Sequence, residues 1–381
     1  MVRYFPLYGS DAMRFTYLSR SVELAILLLA AACGSASPKR VPSHASGAVT
    51  PPTAEHAIEP ASWLPARGAW LDRVFIEHPL IGTIYSPEQH RLVTPAVLID
   101  KVREARYLLL GEKHDNRDHH QVQANLLSLV LQAHKDPAVA FEMLDQEQQP
   151  TVDAFLSAHP TDVDGLAVAV EWERSGWPQW SMYRPVFSAA IDSKARIVAA
   201  NLSRKSVHVL MHRGESELAK ETEQVPPLPV DQLRDLEDEL RASHCGMLPE
   251  LAISRMAWGQ RLRDWTIAEH LLKSDHGTGA VLIAGVGHVR LDRGVPLSLR
   301  AATSGPVLSV ALMEVQHGVV DPAAYLDSAA SLVPYDFVLF TPRVDNNDPC
   351  EEMQQKEQPT NRTQDKSTAK SRPTPLLTAT F

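Results

Sequence analysis

Six short apolar runs dominate the middle of the chain: Tyr107–Gly111, Ala138–Met143, Arg196–Ala200, Ala280–Ala284, Val307–Leu312 and Phe337–Phe340. Each is too short for a stable helix, and each is continuously apolar rather than alternating. That pattern belongs to strands covered on both faces, hence to a sheet with parallel members and helices on either side. Between the runs the period changes to that of a helix. After Gly111, Asp118 can cap a helix whose apolar positions are Val122, Leu126, Val130 and Ala133. An earlier pair, Ile81–Tyr85 and Arg91–Val93 around Pro87, reads as a hairpin leading into the sheet. Two mostly helical insertions run from about 146 to 190 and from about 205 to 274, the second containing Val230–Ala242 and Leu248–Leu272. No internal repeat is visible. The sequence predicts one α/β domain over residues 63–350, with a mixed, largely parallel central sheet, flanking helices and a helical cap formed by the insertions.

The ends of the chain read differently. Arg14 and Arg20 precede an apolar run from Leu24 to Ala32, which is about half the ~20 residues needed to cross a bilayer. A basic start, a short apolar stretch and small residues make an export signal over 1–33, in which Met13 gives a tidier start than Met1. Leu28-Leu29-Ala30-Ala31-Ala32-Cys33-Gly34 looks like a lipobox, with Cys33 as the lipidated residue, although its Leu sits one place early. Residues 34–62, rich in Ser, Ala and Pro, then form a flexible tether. The chain is thus expected in the cell envelope, held to a membrane by lipid and facing the periplasm or outer membrane. Cys245 and Cys350, the two cysteines besides Cys33, can pair in an oxidising compartment. Residues 351–381, polar and poor in core formers, read as a disordered tail. Asp and Glu outnumber Lys and Arg by 46 to 37, a net charge of -9, which argues against nucleic acid as a partner.

Chemistry in open α/β sheets sits at the carboxyl ends of the strands. Three such ends carry polar groups here: Gly111-Glu112-Lys113-His114-Asp115-Asn116 with Asp118-His119-His120, then Phe141-Glu142-Met143, and Gly285-Val286-Gly287-His288. Two Gly-x-x-His turns and Glu142 would converge above one crevice. Such a set can hold a divalent metal through His114, Glu142 and His288. It can also work without metal, with His288 or His114 as general base and Glu142 or Glu112 tuning it. Or it closes the top of the sheet as a buried hydrogen-bonded network. Gly285-Val286-Gly287 lacks the third glycine of a dinucleotide fingerprint. There is no Gly-x-Ser-x-Gly, no phosphate loop, no His-Glu-x-x-His and no Cys-x-x-Cys.

The stretch Leu110–Asn116 with His119-His120 resembles the ChaN-like haem-binding lipoproteins, which share a superfamily with the Tiki and TraB proteins and the erythromycin esterases. The resemblance continues through Gly176-Trp177-Pro178, Tyr183-Arg184-Pro185, His244–Glu250, Gln260–Asp264, Gly287–Arg290, Gly294-Val295-Pro296 and Asp348-Pro349-Cys350. It implies a haem-binding protein of haem or iron uptake, with dimers holding two haems face to face and a tyrosine on the iron. Tyr183, near Trp177 and Trp180 in the cap, is the matching candidate, with His244 and Met247 as companions. Within the superfamily the hydrolytic relatives use the two Gly-x-x-His motifs and the intervening Glu. The resemblance therefore also implies a hydrolase-like set of Glu112, His114, Glu142, Arg263 and His288 as an alternative role.

Overall fold

The computed structural model describes residues 63–133, 137–212, 223–326, 333–348 and 350. The export signal with Cys33, the tether and the polar tail lie outside the described residues. The chain enters through β1 (Ile84–Ser86) and β2 (Arg91–Val93), an antiparallel hairpin with Ile84 opposite Val93. There follow α1 (Pro95–Glu104), β3 (Tyr107–Glu112), α2 (Arg117–Ala133) and β4 (Ala138–Asp145). A single 3-10 turn leads to α3 (Gln149–Ala158), α4 (Val163–Ala169), α5 (Trp172–Ser175) and α6 (Trp180–Asp192). Then come β5 (Arg196–Asn201), α7 (Arg204–His212), α8 (Val230–Ser243) and α9 (Glu250–Ser274). The chain closes with β6 (Ala280–Gly285), α10 (Val295–Ala302), β7 (Val307–Glu314) and β8 (Phe337–Thr341).

The eight strands form one sheet in the order β2-β1-β8-β7-β3-β6-β4-β5. The six strands from β8 to β5 are parallel, and only β1 of the entry hairpin runs against them, β2 turning back into their direction. This is the mixed, largely parallel α/β sheet the apolar runs call for. All six residues of β3 and of β6 are buried, because helices cover both faces. Removing a leucine such as Leu109 or Leu110 from water stabilises the fold by roughly 1.5–3 kcal/mol each.

The order contains a switch point. The chain leaves β3, skips one place to lay down β4, and later returns with β6 between them. Above this slot the carboxyl ends of β3, β6 and β4 stand side by side, in the register Glu112 to Gly285 and Phe141 to Ile283.

The helices refine two expectations. Asp118 is not the cap of α2: Asn116 is, its side-chain carbonyl accepting the His119 N–H at 3.1 Å. Asp118 instead accepts the backbone N–H groups of Leu71 and Asp72 at 2.7 and 2.9 Å, tying the entering segment to α2. The two insertions also differ. The first shares the core of the sheet through Val152, Leu166, Tyr183, Val186 and Phe187, whereas α8 and the start of α9 have a small cluster of their own around Leu236, Leu240, Ile253 and Ala257. No helix among the described residues is long and apolar enough to cross a membrane.

Candidate functional site

The last residue of β3 is Glu112, which is buried. Its Oε1 accepts the Tyr183 hydroxyl at 2.6 Å and the Nδ1 of His114 at 3.0 Å. Its Oε2 lies 3.0 Å from Nε2 of His120, whose ring packs 4.0 Å from that of Tyr183. His114 and His120 reach this carboxylate from opposite sides because the chain turns off β3 and re-enters as α2. Burial alone would push the Glu112 carboxyl up; His120 and His114 together outweigh it and hold it well below the usual carboxylate range.

Glu142 forms the second half. Strand pairing between β4 and β6 brings it beside Gly285, whose N–H donates to Oε2 at 2.7 Å. Oε1 lies 3.1 Å from Nε2 of His288. The other ring nitrogen, Nδ1, is 2.5 Å from Oδ1 of Asp264, so the imidazole is held between two buried carboxylates. Burial works against its charge, but Glu142 and Asp264 win and push its pKa up to about 10. Glu142 in turn goes against the burial effect down to about 2, chiefly through His288, and burial lifts Asp264 to about 6. The two carboxylates thus favour the imidazolium form of His288, which can stabilise negative charge or donate a proton.

His114 joins the halves, its Nε2 lying 4.0 Å from Oε2 of Glu142. Burial lowers its pKa, and Glu142 with Glu112 more than restores it. It keeps 12% of its side-chain surface exposed and meets the edge of half-buried Trp177, so the site touches solvent here. Arg263, half-buried on α9, lies within the field of Glu142.

The structure thus brings together Glu112, His114, Glu142, Arg263 and His288. It also recruits residues that sequence reading placed elsewhere or passed over. Asp264 and Gln260 stand one turn apart on α9 and both face His288, Gln260 Nε2 being 3.1 Å from its Nδ1. A polar residue at i, i+3 and i+4 on the buried stripe of an otherwise apolar helix was the available signal. His119, by contrast, is a strut: Nδ1 accepts the Lys113 N–H and Nε2 donates to Thr341, and burial drives its pKa down to about 3.

Three expectations change. Tyr183, expected in the cap as an iron ligand, is bonded to Glu112 inside the site. It is fully buried, and burial with the Glu112 charge holds its phenol well above the ordinary pKa, which disfavours the phenolate an iron ligand needs. All five tyrosines among the described residues are buried. His244 and Met247 do not share a helical face with each other. The left-handed Cys245 and Gly246 end α8 after Ser243, so His244 is its cap and Met247 lies in the turn that follows. His244 Nδ1 donates to the Leu240 carbonyl at 2.7 Å. Finally, no group of three His, Cys, Asp or Glu among the described residues is disposed to hold a metal ion. At His114, Glu142 and His288 the reason is visible: both nitrogens of His288 face carboxylates, and Glu142 is committed to Gly285 and His288. Cys245 and Cys350 are joined by a disulfide, with Cα atoms 5.5 Å apart.

A family profile described as haem-binding uptake, Tiki superfamily, ChaN matches residues 98–299, more than half of the chain and all of the strand ends just described. The chain belongs to this family. Among solved structures, ChaN of Campylobacter jejuni, described with cofacial haem, superposes with a TM-score of 0.53 at 22% identity, covering 67% of this chain and 95% of that one. That likeness shows the fold. An erythromycin esterase mutant in its open conformation superposes at a TM-score of only 0.34 and 15% identity, covering 64% of this chain and 77% of that one. No curated protein matches. For a member of the ChaN family, the buried crevice and its exposed rim at His114 and Trp177 are the features to explain.

Proposed function

We propose that this protein binds haem and serves haem or iron uptake at the cell envelope, held there by lipid at Cys33. The observation that carries the reading is membership of the haem-binding uptake family over the segment that builds the crevice. The fold shared with Campylobacter jejuni ChaN supports it, as does a rim where Trp177 offers an aromatic face beside His114. A face-to-face pair of haems between two copies of the chain follows the same relative. The iron ligand is the weakest fit. Tyr183 would have to leave Glu112 and expose a buried phenol before it could meet iron, whereas His114 already reaches the surface. Haemin titration followed at the Soret band tests the reading, and Tyr183→Phe beside His114→Ala assigns the ligand. Lipid at Cys33 is tested separately, by the mass of the mature protein.

A second reading is favoured by one observation. Glu112, Glu142, Asp264 and His288 are all buried at one sheet end. Burying ionised groups costs several kcal/mol each even when they are paired, more than closing a sheet requires. We infer that the crevice also suits proton transfer or hydrolysis, with His288 as an electrostatic stabiliser or acid and His114 or Glu142 as the group that receives a proton. Loss of a hydrolytic activity in His288→Gln, with haem binding kept, would separate the two roles.

A further inference from the structure

Two arginines at the crevice rim form no ion pair with a carboxylate among the described residues. Arg263 extends from the inward stripe of α9. Its Nε is sealed from solvent, and among the described residues it meets no hydrogen-bond acceptor. Arg204, the first residue of α7, is exposed and lies against the α5–α6 turn. Its guanidinium carbon is 6.0 Å from the centre of the Trp177 ring, and a Cβ on Gly176 would come within 2.9 Å of its Nη1. Gly176 itself has φ +83°, a left-handed backbone that other residues rarely adopt.

Arg204 lies close enough to Arg263 to raise the cost of its charge, an effect added to the burial of Arg263. Glu142, Asp145 and Asp264 favour the charge of Arg263 without outweighing its burial, and none of them forms an ion pair with it among the described residues. Glu142 is committed to His288 and Gly285, and Asp145 feels both arginines without forming an ion pair with either among the described residues. Guanidinium groups in proteins are almost always satisfied, since five N–H donors and a fixed charge are costly to strand. Here the buried Arg263 Nε has no acceptor among the described residues, and the exposed Arg204 stands over the Trp177 ring that meets His114. That combination suits a carboxylate carried on a flat apolar body.

We propose that Arg204 and Arg263 form a carboxylate site at the crevice rim, which takes a propionate of haem while Trp177 packs on the ring. The proposal rests on the haem reading for the source of its carboxylate, though not for the existence of the site. It is tested with ferric haem, haem dimethyl ester and benzoate on the wild type, Arg204→Gln and Arg263→Gln. The wild type is expected to bind haem at least about tenfold more tightly than the ester, as one charge-assisted hydrogen-bond pair allows. Either substitution should bring haem affinity down to that of the ester while leaving the ester unchanged, which also shows that the variant is folded. Arg204 is exposed, so its variant stays informative if Arg263→Gln unfolds. A wild type that does not distinguish haem from its ester, or a distinction that survives in both variants, overturns the proposal. If neither haem nor ester binds, the haem reading falls and benzoate decides. Thermal protection by benzoate that is lost in the variants keeps the site for another carboxylate, and no such protection removes it.

Discussion

His288 is held between Glu142 and Asp264, and its raised pKa has a sign that can be checked. Its folded value, about 10, exceeds the ordinary 6.5, so its contribution is complete below about pH 6.5 and disappears as pH rises through 10. Glu142 behaves oppositely: its contribution is complete above about 4.5 and is lost as pH falls towards 2. The unfolding free energy from urea titrations between pH 6 and 10 should therefore fall in the wild type by an amount on the order of a few kcal/mol, and clearly less in His288→Gln. An identical pH dependence in the two proteins would show that His288 is not charged in the folded state. Glu142→Gln strands the imidazolium and should destabilise the protein by roughly 3–5 kcal/mol, measured by the same denaturation at pH 7. At this scale the Gly-x-x-His turns were legible because glycine marks where a chain leaves a strand. Asp264 was not, because the polar positions 260, 263 and 264 mark one face of α9 without telling which strand end that face meets. Tyr183 was placed in the cap beside Trp177 and Trp180 as a candidate iron ligand, and its contact with Glu112 was not foreseen. Its true setting depends on α6 packing against α2, which no local pattern reveals.

At the scale of elements, the strands could be read from composition alone, since burial on both faces demands continuous apolar runs. Their bounds moved by a residue or two, and β1 starts at Ile84 rather than Ile81. The switch point could not be read, because strand order depends on where β6 inserts and not on its own sequence. The cap of α2 was misplaced by two residues because Asp118 and Asn116 are both good caps, and only tertiary bonds to Leu71 and Asp72 decide between them. Asn116 also donates to Glu314 at 2.9 Å, linking α2 to the end of β7. Asn116→Ala should cost about 1–2 kcal/mol, more than an isolated cap because both ties are lost. A change below a few tenths of a kcal/mol in chemical denaturation would contradict that assignment.

Across the whole molecule, the disulfide joins the turn after α8 to the end of the described chain, 105 residues apart in sequence. Closing a loop of that length restricts the unfolded chain by about 4–5 kcal/mol in the loop-entropy account. Reduction should lower the urea midpoint accordingly, and fluorescence-detected unfolding with and without reductant measures it. The crevice does not depend on that bridge, since its residues come from β3, β4, α2, α6, α9 and the loop after β6. The family is the claim that ties sheet, crevice and rim together, and a haemin titration of the purified protein at the Soret band tests it most directly. The account predicts saturable binding that weakens when Arg204 or Arg263 is replaced by glutamine. Absence of any saturable band in the wild type would contradict it and leave the buried histidine–carboxylate crevice as the functional centre.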